Sequence, residues 1–172
     1  MDYVNNLISR NTVIRRVILA VLVLVTFLIQ NTAFPSIGGA HAILLIPLTV
    51  CVAMFEREFA GMFFGLFAGA MLDAFSSDST VFNSIIFTVI GFTAGALITY
   101  VMRNNLVCAV ILTLGCSVIY TTLNFVFYYA FNGLEKPVAV YFRYYFVSAI
   151  YTVIFTPLFY LIIREISKKL KD

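Results

Sequence analysis

Tryptophan is absent from this 172-residue chain, histidine occurs once, and only 11% of the residues carry a charge. Each shortage excludes something. A soluble domain of this size needs a polar exterior. A chain that is 62% hydrophobic, with a mean hydropathy of +1.02, cannot supply one. The lone His41 follows a glycine pair and has no metal-ligating company. The three cysteines, Cys51, Cys108 and Cys116, stand in apolar runs without CxxC spacing. They read as buried, inert thiols, so no metal or redox cofactor is expected. HExxH and GxSxG are both missing, and no second carboxylate is placed to pair with Asp73 inside an apolar run. The expectation is a protein without catalysis. The net charge of +3 is spread along the chain, with no basic patch in polar surroundings, so nucleic acid is not an expected partner.

What remains is apolar sequence broken at intervals. The breaks divide a single transmembrane domain, residues 1–172, into six expected spans at about 14–34, 40–55, 59–75, 81–102, 106–131 and 138–163. Phe34-Pro35 with Gly38-Gly39 makes the first turn. Glu56-Arg57-Glu58 drives the second to the water interface. Ser76-Ser77-Asp78-Ser79, Arg103-Asn104-Asn105 and the segment from Asn132 to Pro137 supply the others. The second and third spans are short for a hydrocarbon core of about 30 Å. Arg10, Arg15 and Arg16 ahead of the first run, and the small-residue triplet Ala40-His41-Ala42 after it, imitate a signal peptide. The run is long enough to span and a second follows at once, so an uncleaved first helix is expected.

Orientation follows from lysine and arginine. With both termini in the cytoplasm, Arg10, Arg15, Arg16, Arg57, Arg103, Arg164, Lys168, Lys169 and Lys171 lie inside, and only Lys136 and Arg143 lie outside. The polar residues within spans then crowd the outer half: Gln30, Asn31, Asp73, Asn83, Asn124 and Arg143. Buried polar groups need partners, so one shared outer cluster is expected, with Asp73 and Arg143 at matched depth as an ion pair. Snorkelling of Arg143 to the headgroups and simple helix-end capping by Gln30 and Asn31 are the alternatives. Tyr128, Tyr129, Tyr141, Tyr144 and Tyr145 fall near the same interface as an aromatic belt.

The strongest pattern is Gly61, Gly65, Gly69 and Asp73, four residues apart in FAGMFFGLFAGAMLDAF. Glycine costs about 1 kcal/mol against alanine in a helix interior. In lipid, small residues at this spacing make a groove that another helix can enter closely. An aspartate ending the groove costs roughly 2.5–3.5 kcal/mol on insertion scales unless it faces protein or water. Gly91 and Gly95 form a second small pair, continued by Thr99. The two small faces either pack on each other or leave a groove for a helix of another protein. Leucine at Gly65 is expected to be disruptive and alanine milder.

In order, LIQNTAFP, GMFFGLFAGAMLD, a short polar loop and VFNSIIFTVIGFTAGAL resemble the MreD family, the small integral membrane subunit of the bacterial rod-shape machinery. The resemblance covers most of the chain. It carries over at Gln30, Asn31, Pro35, Gly61, Gly65, Gly69, Asp73, Asn83, Gly91 and Gly95. Family members often have glycine in the loop after the aspartate, where this chain reads SSDST. The resemblance implies an all-α bundle of six transmembrane helices in the bacterial cytoplasmic membrane. It also implies a scaffold for an MreC-like bitopic partner. Through that partner it would serve a RodA-type polymerase, a class B penicillin-binding protein and MreB filaments. The family is also similar in fold to the substrate-binding S components of energy-coupling-factor vitamin transporters. An outer polar cavity holding a vitamin is therefore the alternative function.

Overall fold

The computed structural model describes residues 2–32, 42–76, 81–132 and 146–170. Every regular element among them is an α-helix: α1 (Asp2–Thr32), α2 (Leu45–Phe75), α3 (Phe82–Tyr100), α4 (Leu106–Asn132), α5 (Phe146–Ile154) and α6 (Thr156–Lys169). Five helical stretches are long and apolar enough to cross a membrane, α5 and α6 together forming the last. They suggest a multi-pass membrane protein. The helices outrun the apolar segments. α1 begins at Asp2 and α6 continues to Lys169, because a helix propagates through polar turns while a span ends where lipid does. The turn around Pro35, His41, the loop around Asp78, Arg143 and the tyrosines 141, 144 and 145 lie outside the described residues.

α2 is not one rod. At Arg57 the backbone adopts φ 72° and ψ 178°, a region that essentially only glycine occupies freely. The chain doubles back there. In a straight helix, residues eight apart are about 12 Å apart along the axis. Here a Cβ built on Gly61 would lie 2.5 Å from the Cβ of Ala53. The two halves, 45–56 and 58–75, therefore run side by side as an antiparallel hairpin.

The first half is about 18 Å long and sits at the centre of the bundle. Its residues 45–54 are all buried, as expected of a helix that is apolar all round. The second half, α1, α4, α5 and α6 pack around it. Pro47 lies in its first turn, where an amide would have no helical partner. The last span breaks at Phe155, whose amide bonds Thr152 O at 3.3 Å, with Pro157 starting α6. Proline cannot donate to the preceding turn, so the joint follows from its position.

The described charged side chains gather at one end of the bundle, where Arg15, Arg16, Glu56, Glu58, Arg164 and Lys168 lie with the polar Asn104. Asp73 stands alone among them at the other end, beside Ser84.

Candidate functional site

Gly61, Gly65 and Gly69, the ladder that Asp73 ends, and the pair Gly91 and Gly95 are all buried, and the structure places them where the second half of α2 meets α3. The two helices run antiparallel. Gly61 meets Gly91 O, Gly65 meets Phe87 O, Gly69 meets Asn83 O and Gly95 meets the backbone of Glu58. A Cβ at any of these positions would collide with backbone atoms, which cannot swing aside as a side chain would. At Gly65 even alanine would clash, with Phe87 C only 2.9 Å away. Gly65→Ala is therefore disruptive in its own right, though still milder than leucine. The face that pairs the two helices is filled from within the chain and is not open to another protein.

Among the described residues, the polar side chains expected to form one cluster do not converge on one point. Gln30 reaches from α1 to accept a bond from Leu45 N at 3.2 Å, and Thr152 accepts one from Ile43 N at 3.0 Å. Gln30 thereby satisfies an orphan donor in the first turn of α2, and Thr152 holds the amide just ahead of the N-cap Leu44. Asn31 donates to Phe27 O in its own helix at 3.0 Å.

Asp73 does something different. Its carboxylate accepts bonds from Asn83 N at 3.0 Å and Ser84 N at 2.7 Å, and a further one from the Ser84 hydroxyl. These donors open α3. Asp73 thus caps a neighbouring helix from ten residues upstream, where the positive end of that helix favours an anion. Asn83 Oδ1 in turn accepts the Tyr120 hydroxyl at 2.7 Å, which ties α3 to α4. Asn124 is half-buried one turn further along α4. The expected Asp73–Arg143 pair involves a residue outside the described set, whereas three donors of α3 already occupy the Asp73 carboxylate.

Comparison with known protein families, with curated proteins and with solved structures gave no match. The reading of the site therefore rests on its geometry and on the motif order.

Sequence reasoning missed the opposite end. Glu56 was expected at the water interface, yet its side chain is 1% exposed. Arg15 Nε lies 2.5 Å from one carboxylate oxygen, and the more exposed Arg16 lies 3.6 Å from the other. Glu58 accepts the Thr99 hydroxyl at 3.0 Å, and Asn104 donates to Met54 O at 3.0 Å. The strained turn at Arg57 is thus held by α1 on one side and α3 on the other. Asn104 also satisfies a carbonyl at the end of the buried helix. The signal was present in the adjacent Arg15-Arg16 and in the odd placement of a carboxylate between two apolar runs. Among the described residues no group of three histidine, cysteine or acidic side chains could hold a metal.

Proposed function

We propose that this chain is a non-catalytic membrane scaffold of the bacterial cell-wall elongation machinery. It would cross the cytoplasmic membrane six times with both termini inside. It would hold an MreC-like bitopic partner and through it help regulate peptidoglycan synthesis and cell shape. The observation that carries the reading is what the resemblance-bearing residues do. Gln30, Gly61, Gly65, Gly69, Asp73, Asn83, Gly91 and Gly95 all hold helices to one another or satisfy helix ends. A vitamin-binding subunit needs polar groups converging on a cavity, and here the acceptors of Gln30, Asp73 and Asn83 are taken up by amides and a tyrosine. The reversal at Arg57 supports six crossings, since it makes two antiparallel legs of α2. The gathering of basic residues at one end supports the orientation.

With the small faces packed internally, the partner's helix must use an outward surface. A lipid-side hollow of about 350 Å³, lined by Arg16, Phe59, Ala60, Phe63 and Phe64, lies next to the hairpin. Its phenylalanines offer a knobbly apolar surface for van der Waals packing, the main attraction between helices in lipid. Depletion in a rod-shaped host should round the cells, and detergent extracts should yield a complex with the bitopic partner. A cysteine at Phe63 should crosslink to that partner's membrane helix. Normal rods, loss of uptake of one nutrient and a small molecule bound to the purified protein would replace this reading with the transport one.

A further inference from the structure

A cavity of about 460 Å³ opens at the charged end of the bundle, between the start of α4, the end of the first half of α2 and the last turns of α6. Its floor is the buried Tyr160 and the half-buried Phe55. Its rim carries Arg164 and Lys168, four residues apart and so on one face of α6. No acidic residue lines it. Among the described residues Arg164 has no carboxylate partner. The contact of Lys168 with Glu165, at 3.4 Å between two exposed side chains, is of the weak surface kind. The third source of positive potential is α4 itself. Asn105 and Leu106 open that helix on the cavity wall, and its first turn contains no acid. Ser167 adds a hydroxyl donor.

The surroundings select the kind of anion. Immediately beside the cavity the exposed faces are apolar: Leu106 and Val107 at the start of α4, and Leu158 and Leu161 one or two turns before the α6 cations. The change from lipid-facing leucine to arginine and lysine within two turns marks the depth at which phospholipid phosphates lie. A soluble phosphate would use the cations alone. A lipid would use both the cations and the leucines.

We infer that this cavity seats the phosphate headgroup of an anionic phospholipid, with its acyl chains along Leu106 and Leu161. Arg164 and Lys168 neutralise the phosphate, and the α4 amides and Ser167 supply hydrogen bonds. This assignment depends on the helix ends and not on the proposed partner.

The test uses the full-length protein purified in a neutral detergent and titrated with phosphatidylglycerol or phosphatidylcholine. Thermal unfolding and native mass spectrometry are the readouts. Phosphatidylglycerol should raise the unfolding temperature and remain bound, whereas phosphatidylcholine should do neither. The Arg164→Gln/Lys168→Gln variant should bind phosphatidylglycerol roughly thirtyfold more weakly, the factor expected from losing two interfacial cations. Ser167→Leu, which fills the cavity and keeps both charges, should also weaken it, and Lys169→Gln, outside the cavity, should not. Equal responses of the parent protein to the two lipids would overturn the proposal without recourse to any variant. So would an equal loss in Lys169→Gln, which would mean diffuse attraction. If glycerol phosphate reproduced the full stabilisation, the ligand would be a soluble phosphate and the lipid assignment would fall.

Discussion

Two residues at the α2 hairpin tip show how a membrane protein keeps charge and strain inside its structure. Arg57 holds a backbone conformation that costs a non-glycine residue about 1–3 kcal/mol. Neighbouring contacts offset that cost: Glu56 with Arg15, Glu58 with Thr99, and the close approach of Gly95. Arg57→Gly should raise stability by about 1 kcal/mol, measured as unfolding temperature in detergent. A fall would mean that the arginine side chain, not the backbone, holds the turn. For the buried pair, Arg15→Gln leaves the Glu56 carboxylate with only the more distant Arg16 and should cost about 1–3 kcal/mol. Glu56→Gln added to it should recover part of the loss. Additive effects in that double-mutant cycle would remove the pair as a coupled unit.

Among the elements, the second half of α2 and α3 behave as one body, because glycine lets their backbones touch along their length. Van der Waals attraction falls steeply with separation. A single added methyl between touching backbones therefore forces the whole pair apart, and the loss is shared along the contact. Gly65→Ala should reduce folded yield and lower the unfolding temperature markedly, with Gly65→Leu preventing assembly. Gly115 in α4 is the internal comparison, since a Cβ there would meet nothing within 4 Å. Gly115→Ala should leave stability unchanged or raise it by up to about 1 kcal/mol. If the two alanine variants behave alike in thermal unfolding, backbone contact is not what the ladder provides. The same pair of helices is fixed at the start of α3 by Asp73, so the ladder and its terminal carboxylate work on one interface.

For the whole molecule, the short first half of α2 sets the architecture. A helix of about 18 Å with apolar residues on every side cannot face water and is too short to cross lipid unaided. The bundle encloses it and satisfies its ends through Gln30 and Asn104. If the proposed six-span topology holds, reporter fusions after Asn104 and at the C-terminus should report cytoplasm, while fusions near Ser77 and Leu134 should report the outside. A cysteine at Arg57 should label from the same side as one at Asn104. Labelling from the opposite side would mean that α2 crosses once and that the chain has an odd number of spans.

Composition alone determined the class, an all-helical chain with helices apolar enough to cross a membrane. A 62% apolar chain can only place its surface in lipid, and the breaks at Arg57 and Arg103 are charges that lipid rejects. The four-residue glycine spacing likewise meant a close helix contact, because nothing else repays that many glycines. Tertiary structure decided what the contact was with. Small faces that pair within a chain look the same in sequence as faces that wait for a partner, and only the antiparallel approach of α3 separates the two. It also decided the fate of the polar residues. Sequence gives their depth, and depth grouped Gln30, Asn31, Asp73 and Arg143 together. A hydrogen bond depends on direction and on separation to tenths of an ångström. Direction sent Gln30 to the start of α2 and Asp73 to the start of α3. The burial of Glu56 was hidden for the same reason. Its partner stands some forty residues earlier on α1, and only the folding of the hairpin against that helix brings the charges together.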